Sequence, residues 1–152
     1  HVAAALVRKR VCSSVREAFD RFLHDGGPAD VAIDRVSLDE GIELAVGAGA
    51  RCSIAHPHTL KSPALVAEIL KTFAPRGLGG LEAHYGTYAA HDRDAWTRMA
   101  QSHGVVTTGG SDYHGTANPS VRAPVIEVSA KLGAAIREWL APEEIPVDVL
   151  AS

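Results

Sequence analysis

The sequence contains few features of a secreted or membrane protein. It has two cysteines, Cys12 and Cys52, which lie far apart and lack the spacing of a zinc-binding motif. We interpret them as free thiols of a cytoplasmic protein rather than as a disulfide framework. No apolar run approaches the length that spans a membrane. The opening phrase HVAAALV lacks the basic segment that precedes a signal peptide.

A strong excess of charge of one sign is also absent, since the net charge is −3 with histidine neutral. This balance argues against a basic surface for binding duplex nucleic acid. A phosphate-bearing ligand would need metal ions or individual cationic side chains. The 46% of apolar residues is typical of a folded domain. Eight histidines in 152 residues are several more than expected.

The first part of the chain has the apolar pattern of two short helices. The pattern predicts one helix over residues 1–10 and a second over VREAFDRFLHDGG, with Ser13 or Ser14 as its N-cap. The apolar stripe predicted for the second helix comprises Val15, Ala18, Phe19, Phe22 and Leu23. The first residue is His rather than Met, and the first helix lacks an N-cap. We therefore expect the chain to be a fragment of a longer protein.

From Ser37 onwards, predicted helices and strands alternate. The strands are the apolar runs RCSIAH, which we expect to be buried, GLEAH and GVVTTG. The helices are LDEGIELAVGAG after the capping box SLDE, SPALVAEILKTFAPRG, residues 88–103 and SAKLGAAIREWLA. This alternation predicts an α/β fold with a parallel sheet and crossover helices. Because three strands are too few for a complete barrel, we expect part of a larger fold.

Ionisable side chains follow all three predicted strands. In parallel α/β folds, ligand sites form at the carboxyl ends of the strands. We expect His56, Asp112 and His114 to bind a metal at this edge. The same strand ends also carry His58, Glu82 and His84, which are explained equally well as ordinary polar residues, and His24, His91 and His103 are expected to be solvated on helices.

Histidine and carboxylate ligands suit zinc, manganese or iron. Asp112 and His114 would point to opposite faces of a flat strand, but a glycine-flanked loop lifts that restriction. They could then bind one ion together or two neighbouring ions. Arg122 and Lys61 could each hold a phosphate or be ordinary surface charges. The phrase GGSDYHG lacks the G-x-S-x-G spacing of a serine hydrolase.

The phrases IAHPH, GLGGLEAHYG and TTGGSDYHG occur in this order with helices between them. In this respect the sequence resembles the C-terminal half of a polymerase-and-histidinol-phosphatase (PHP) domain. HVAAALV and VREAFDRFLHDGGPADV resemble the helical insert of the bacterial nucleoside 3′,5′-bisphosphate phosphatases of that superfamily. The resemblance implies the C-terminal portion of a distorted (β/α)7 barrel over residues 37–152. It also implies a small helical insert over residues 1–36.

The resemblance further implies a phosphoesterase in which two or three manganese, iron or zinc ions activate water. Its substrates would be phosphate esters of small nucleotides or the 5′ ends of short oligonucleotides. His56 matches the metal-binding His of the AHP motif, and Asp112 and His114 match the metal ligands of the GSDxHG motif. His1 matches an insert residue that faces the substrate phosphate. Glu82 and Tyr85 align with a strand-end phrase of the family, without being identified as ligands.

The His-x-His motif that supplies the family's first metal ligands, the Asp after it, and the later His and Glu ligands are absent from this sequence. We therefore expect the chain alone to bind metal poorly and to be inactive. Three alternatives remain. The helical insert disfavours a histidinol-phosphate phosphatase, and the intact AHP and GSDYHG motifs disfavour a non-catalytic interaction domain. An amidohydrolase-like barrel would need further Lys or His residues at the strand ends.

Overall fold

The computed structural model describes residues 2–31, 35–115, 121 and 125–141. His1 and Arg122, both expected to contact phosphate, lie outside these described residues. The chain divides into two compact units, His1–Val36 and Ser37–Ser152. None of the helices in the described ranges is long and apolar enough to cross a membrane.

The first unit contains helices α1 (Val2–Arg8) and α2 (Val15–Ala18), and a π-helical turn follows α2 directly over Phe19–Leu23. The predicted cap is Ser14, whose hydroxyl accepts a hydrogen bond from the Glu17 amide. The small core is formed by Ala3, Cys12 and Ala18, with Leu6, Val7, Phe22 and Leu23 packed around it.

The apolar stripe predicted for this region is confirmed for Ala18, Phe22 and Leu23 and is wrong for two residues. Val15 and Phe19 have 47% and 52% of their surfaces exposed. The π-helical turn explains the exposure of Phe19, because it has more residues per turn than an α-helix and so changes which positions share a face. Val15 lies in α2, before this turn, and its exposure has no structural explanation.

The second unit follows the predicted order of helices and strands. Its elements are α3 (Leu38–Gly47), β1 (Cys52–Ile54), α4 (Pro63–Phe73), β2 (Leu78–Tyr85), α5 (Ala90–Ser102), β3 (Val106–Gly110) and α6 (Ala130–Leu140), with 3₁₀ turns at Pro57–Leu60 and Ala74–Arg76. The predicted α/β class with a parallel sheet is thereby confirmed for the described residues.

Serine N-caps begin three of these helices. The hydroxyls of Ser37, Ser62 and Ser129 each accept a hydrogen bond from a backbone amide in the first turn of α3, α4 or α6. Ser37 and Glu40 complete the predicted capping box, in which the Glu40 carboxylate accepts a bond from the Ser37 amide. Such caps satisfy amides that have no partner within the helix and contribute about 1 kcal/mol each.

The three strands form a parallel sheet in the order β1-β2-β3. β2 carries two irregularities, because Gly79 is an extra residue opposite β1 and Ala83 is an extra residue opposite β3. The expectation of a buried first strand is wrong. β1 is only three residues long and partly exposed, since it lies at the edge of the described sheet.

One face of the sheet packs against α3, α4 and α5. Leu81 and Ala83 of β2 are fully buried on this face, and they share a core with Ile42, Val66, Leu70, Trp96 and Ala100. On the other face the hydroxyl oxygens of Ser53 and Thr108, on β1 and β3, lie 3.0 Å apart over Gly80 of the central strand. A Cβ atom on Gly80 would lie 2.7 Å from the Ser53 Oγ, so this hydrogen bond requires glycine at position 80.

We predict that Leu81→Ala destabilises the second unit by about 2–5 kcal/mol, because it leaves a cavity behind a fully buried side chain. Chemical denaturation measures the change. Leu65→Ala is the matched control, since Leu65 of α4 is 46% exposed and its truncation should change stability by about 0.5 kcal/mol or less. Equal effects of the two substitutions would contradict the assignment of the core.

Candidate active site

The carboxyl ends of the three strands lie side by side at one edge of the sheet. Because the strands are parallel, the segments that follow Ile54, Tyr85 and Gly110 all leave the sheet at this edge. Tyr85 pairs directly with Gly110, and the Gly86 amide donates a 2.9 Å hydrogen bond to the Gly110 carbonyl. The fold thus collects the three sequence motifs at one edge.

His56 occupies a constrained position just beyond β1. Its backbone is left-handed, with φ 32° and ψ 59°, although Pro57 follows it. That conformation is costly for a non-glycine residue and needs support from its surroundings. Glu82 supplies part of the support, since its Oε2 accepts a 2.5 Å hydrogen bond from the His56 amide. Thr59 supplies more by donating its hydroxyl proton to the His56 carbonyl at 2.9 Å.

Asp112 and His114 lie close together in the loop after β3. Asp112 is left-handed, with φ 54°, a conformation that aspartate tolerates better than most residues. His114 Nδ1 lies 3.5 Å from the Asp112 Oδ1 and 2.8 Å from the Asp112 carbonyl oxygen. The loop therefore brings the imidazole and the carboxylate together, which a flat strand would not allow.

Tyr85, at the end of β2, holds the second oxygen of this carboxylate. Its hydroxyl donates a 2.9 Å hydrogen bond to the Asp112 Oδ2. Burial, together with the hydrogen bond to Asp112, raises the pKa of Tyr85 above its usual 10. The phenol therefore stays protonated at neutral pH and remains a donor to Asp112.

A group of three rings connects Tyr85 to the loop after β1. His58, Tyr85 and Tyr88 contact one another, with ring centroids 5.0–5.2 Å apart. The His58 amide points to the Tyr88 hydroxyl at 3.4 Å, and that hydroxyl lies 2.8 Å from the His58 Nδ1. Burial raises the pKa of Tyr88, so its hydroxyl stays protonated at neutral pH.

The predicted metal ligands are brought to one edge without forming a complete site. Asp112 and His114 are neighbours, whereas His56 is connected to the strand ends through its amide and Glu82. Within the described ranges, no three or more His, Cys, Asp or Glu side chains are grouped closely enough to hold a metal ion. The donor types nevertheless suit a borderline divalent metal.

Sequence reasoning undervalued Glu82 and gave Tyr85 no function. The pair Gly109-Gly110 carried a usable signal for Glu82, because a Cβ atom on Gly110 would lie 2.9 Å from the Glu82 Oε1. Glycine at that position makes room for a carboxylate on the neighbouring strand. The contact of Tyr85 with Asp112 depends on the conformation of the loop after β3, and no local sequence pattern predicts it.

The histidines outside the strand ends differ in their surroundings. His24 and His91 are exposed, as expected. The expectation that His103 is solvated is wrong, because it is partly buried and its Nδ1 lies 2.9 Å from the Met99 carbonyl oxygen. His103 ends α5, where ring nitrogens bond readily to the last carbonyls of a helix.

Two curated proteins have related sequences. The chain is 30% identical over 115 residues to a 3′,5′-nucleoside bisphosphate phosphatase of Chromobacterium violaceum, which covers 75% of this chain and 40% of that protein. It is 31% identical over 116 residues to a phosphoribosyl 1,2-cyclic phosphate 1,2-diphosphodiesterase of Eggerthella lenta, covering 76% of this chain and 43% of that protein. No family model matches the sequence.

Two solved structures share the fold. One, described as a metal-dependent phosphoesterase of Bifidobacterium adolescentis, has a TM-score of 0.71 and 26% identity, covering 91% of this chain and 49% of that one. The other, an amidohydrolase of Chromobacterium violaceum with bound sulfate and no metal, has a TM-score of 0.68 and 25% identity, covering 88% of this chain and 49% of that one.

These relatives and solved structures are consistent with a partial PHP-type domain. The chain spans about two fifths of the length of the curated relatives it matches and about half of each solved structure. The relatives named above are a phosphatase and a phosphodiesterase, so the homology connects the domain with phosphate-ester chemistry.

We predict that Gly110→Ala breaks the bond between Glu82 and the His56 amide. The new methyl group would lie 2.9 Å from the Glu82 Oε1 and would push the carboxylate away. A bond to a charged group contributes about 1.5–3 kcal/mol, so the His56 amide should exchange with solvent about tenfold faster or more. Hydrogen exchange followed by NMR measures this rate.

Gly133→Ala in α6 is the control for this experiment. The added Cβ would lie 3.5 Å from the Arg137 Nη1 at its nearest contact, which is an ordinary distance. Unchanged protection of His56 in Gly110→Ala would contradict the proposed contact.

We predict that His84 loses its proton at a lower pH than an ordinary histidine. Burial, and then the nearby Arg93 guanidinium, lower the pKa of His84 below 6.5, although Asp94 opposes them. Below about pH 6.5 the unfolded chain takes up a proton that folded His84 binds less readily, so stability falls as the pH falls. His84→Asn should remove this contribution.

NMR titration of the His84 ring and urea unfolding at several pH values measure the two effects. A folded-state pKa at or above 6.5 would contradict the prediction.

Proposed function

We propose that this chain supplies part of the metal centre of a phosphoesterase that acts on phosphate esters of small nucleotides. The observation that carries the proposal is the collection of His56, Asp112 and His114 at the carboxyl edge of one parallel sheet. Two of these residues are held in left-handed backbone conformations, and such conformations cluster at functional sites. The names of the homologues support the choice of a phosphate ester as substrate.

In this proposal His56, Asp112 and His114 are metal ligands. Imidazole and carboxylate donors suit manganese, iron or zinc, and the family resemblance favours two or three such ions. The chemistry that divalent ions supply at such a site is activation of water and neutralisation of charge on the phosphoryl oxygens. No serine or cysteine nucleophile is needed for hydrolysis by water.

The other residues of the edge position these ligands. Tyr85 binds one carboxylate oxygen of Asp112 and so fixes the direction in which the remaining lone pairs point. Glu82 accepts a hydrogen bond from the His56 amide and so stabilises the left-handed backbone conformation of His56 just beyond β1. Hydrogen bonds of this kind to metal ligands contribute about 10–100-fold to affinity or activity in known metal sites.

Further ligands from outside the described residues would complete the centre. Three donors are fewer than a multinuclear site uses, and the curated relatives are more than twice as long as the matched segment. The strands β1, β2 and β3 would then form part of a closed (β/α)7 barrel. The helices of residues 1–36 would form the insert subdomain, in which His1 faces the substrate phosphate, with Arg122 as a second phosphate contact.

The test uses the longest natural form of the protein that contains these residues. Asp112→Asn keeps the size of the side chain and removes the charge that a metal ligand needs. We expect it to lower both metal affinity and the hydrolysis of a nucleoside 3′,5′-bisphosphate by about 100-fold or more. Calorimetric titration with Mn²⁺ and release of inorganic phosphate measure the two quantities.

Asp25→Asn is the matched control, because it removes the same charge from an exposed position in the other unit. It should leave both quantities unchanged. Parent-like metal affinity and turnover in Asp112→Asn would refute the proposal. Turnover at such rates by the isolated chain of 152 residues would refute the need for further ligands.

A further inference from the structure

A cavity opens beside the candidate metal site. It has a volume of about 420 Å³, and it lies between the loop after β1 and the beginning of α5. Pro57 and His58 form one wall, and Thr87, Tyr88 and Trp96 form the opposite side. The cavity adjoins the strand-end site, because Pro57 directly follows His56 and the His58 ring contacts Tyr85, whose hydroxyl binds Asp112.

The cavity offers hydrogen-bond donors and positive charge at one end. Lys61 lines it at the end of the 3₁₀ turn, with a left-handed backbone (φ 54°) that is tied to the His58 carbonyl by a 3.0 Å bond. His58 lines it as well, and its Nδ1 lies 2.8 Å from the Tyr88 hydroxyl. Ser62, the N-cap of the 11-residue helix α4, brings the positive end of that helix to the same wall.

The other side of the cavity combines two aromatic residues with Thr87 and a single acid. Tyr88 and Trp96 line this side and are 9% and 8% exposed, so little of either residue is accessible. Asp92, in the first turn of α5, is the one carboxylate among the lining residues. A ligand that matches this lining has an anionic group near Lys61, an apolar body, and hydroxyl groups that can donate to Asp92.

We propose that this cavity is the subsite for the part of the substrate that carries its second phosphate, with Lys61 and His58 as the phosphate contacts. The inference rests on the proposed function and adds the location of the leaving group. A nucleoside bisphosphate fits the lining, since its scissile phosphate would lie at the metal site while its second phosphate meets Lys61. The free 2′-hydroxyl of the ribose would then face Asp92.

The experiment measures binding without metal and without turnover. The chain contains two tryptophans, and Trp139→Phe leaves Trp96 in the cavity wall as the only one. In the presence of EDTA, adenosine 3′,5′-bisphosphate should change the Trp96 fluorescence saturably. Adenosine should bind at least about tenfold more weakly, because it cannot form a charge-assisted bond with Lys61.

Lys61→Ala in the same background should weaken bisphosphate binding by about tenfold or more. Lys71→Ala is the matched control, because Lys71 is an exposed lysine of α4 that does not line this cavity. Circular dichroism confirms that each variant is folded. Equal affinities for the bisphosphate in Lys61→Ala and Lys71→Ala, or the absence of a saturable signal, would overturn the subsite.

Competition by inorganic phosphate tests whether the cavity recognises the phosphate group alone or the whole leaving group. If millimolar phosphate displaces the nucleotide completely, the cavity recognises the phosphate group alone and the nucleoside part of the proposal is wrong. Partial or negligible displacement supports recognition of the whole leaving group. Because hydrolysis is not measured, failure here leaves the metal-centre proposal standing. Conversely, failure of the Asp112→Asn test would leave nucleotide binding in the cavity standing, but it would remove the identification of the cavity as a subsite of the reaction.

Discussion

The hydrogen bond between the His56 amide and Glu82 spans the ends of two neighbouring strands, and much of the candidate site depends on it. It compensates for a left-handed residue before proline, which would otherwise relax towards an extended conformation. It also fixes where the loop after β1 leaves the sheet. The positions of His58 and Lys61 follow from that exit, because both belong to the turn that begins at Pro57. The Glu82 carboxylate, near the end of β2, thus organises the candidate site without being one of its proposed ligands.

Local physical rules predicted most of the second unit. Serine caps at Ser37, Ser62 and Ser129 mark helix starts whose amides need an acceptor, and that requirement is visible in a few neighbouring residues. The alternation of apolar runs with amphipathic helices was enough to predict a parallel sheet. The gathering of His56, Asp112 and His114 at one edge follows from parallel pairing alone. Their binding of a metal stays a prediction.

The features that escaped prediction depend on contacts between distant residues or on unusual backbone geometry. Phe19 is exposed because a π-helical turn shifts the face that it occupies, and the apolar spacing is compatible with either geometry. Tyr85 reaches Asp112 only because that residue is left-handed. His103 differs from these two cases, because its ring contacts a carbonyl only four residues earlier at the end of α5. For Phe19 and Tyr85 the deciding geometry is absent from the local sequence pattern.

The extra residue at Ala83 has a consequence for how this sequence can vary. Side chains alternate between the two faces of a strand, and the irregularity opposite β3 interrupts the pairing just before His84 and Tyr85. Deleting any single residue between Leu81 and Tyr85 would move the tyrosine to the opposite face and leave Asp112 without its phenol partner. Relatives that retain this contact should therefore differ here by substitution and never by a single-residue insertion or deletion. The length of this short stretch is then under stronger constraint than its composition.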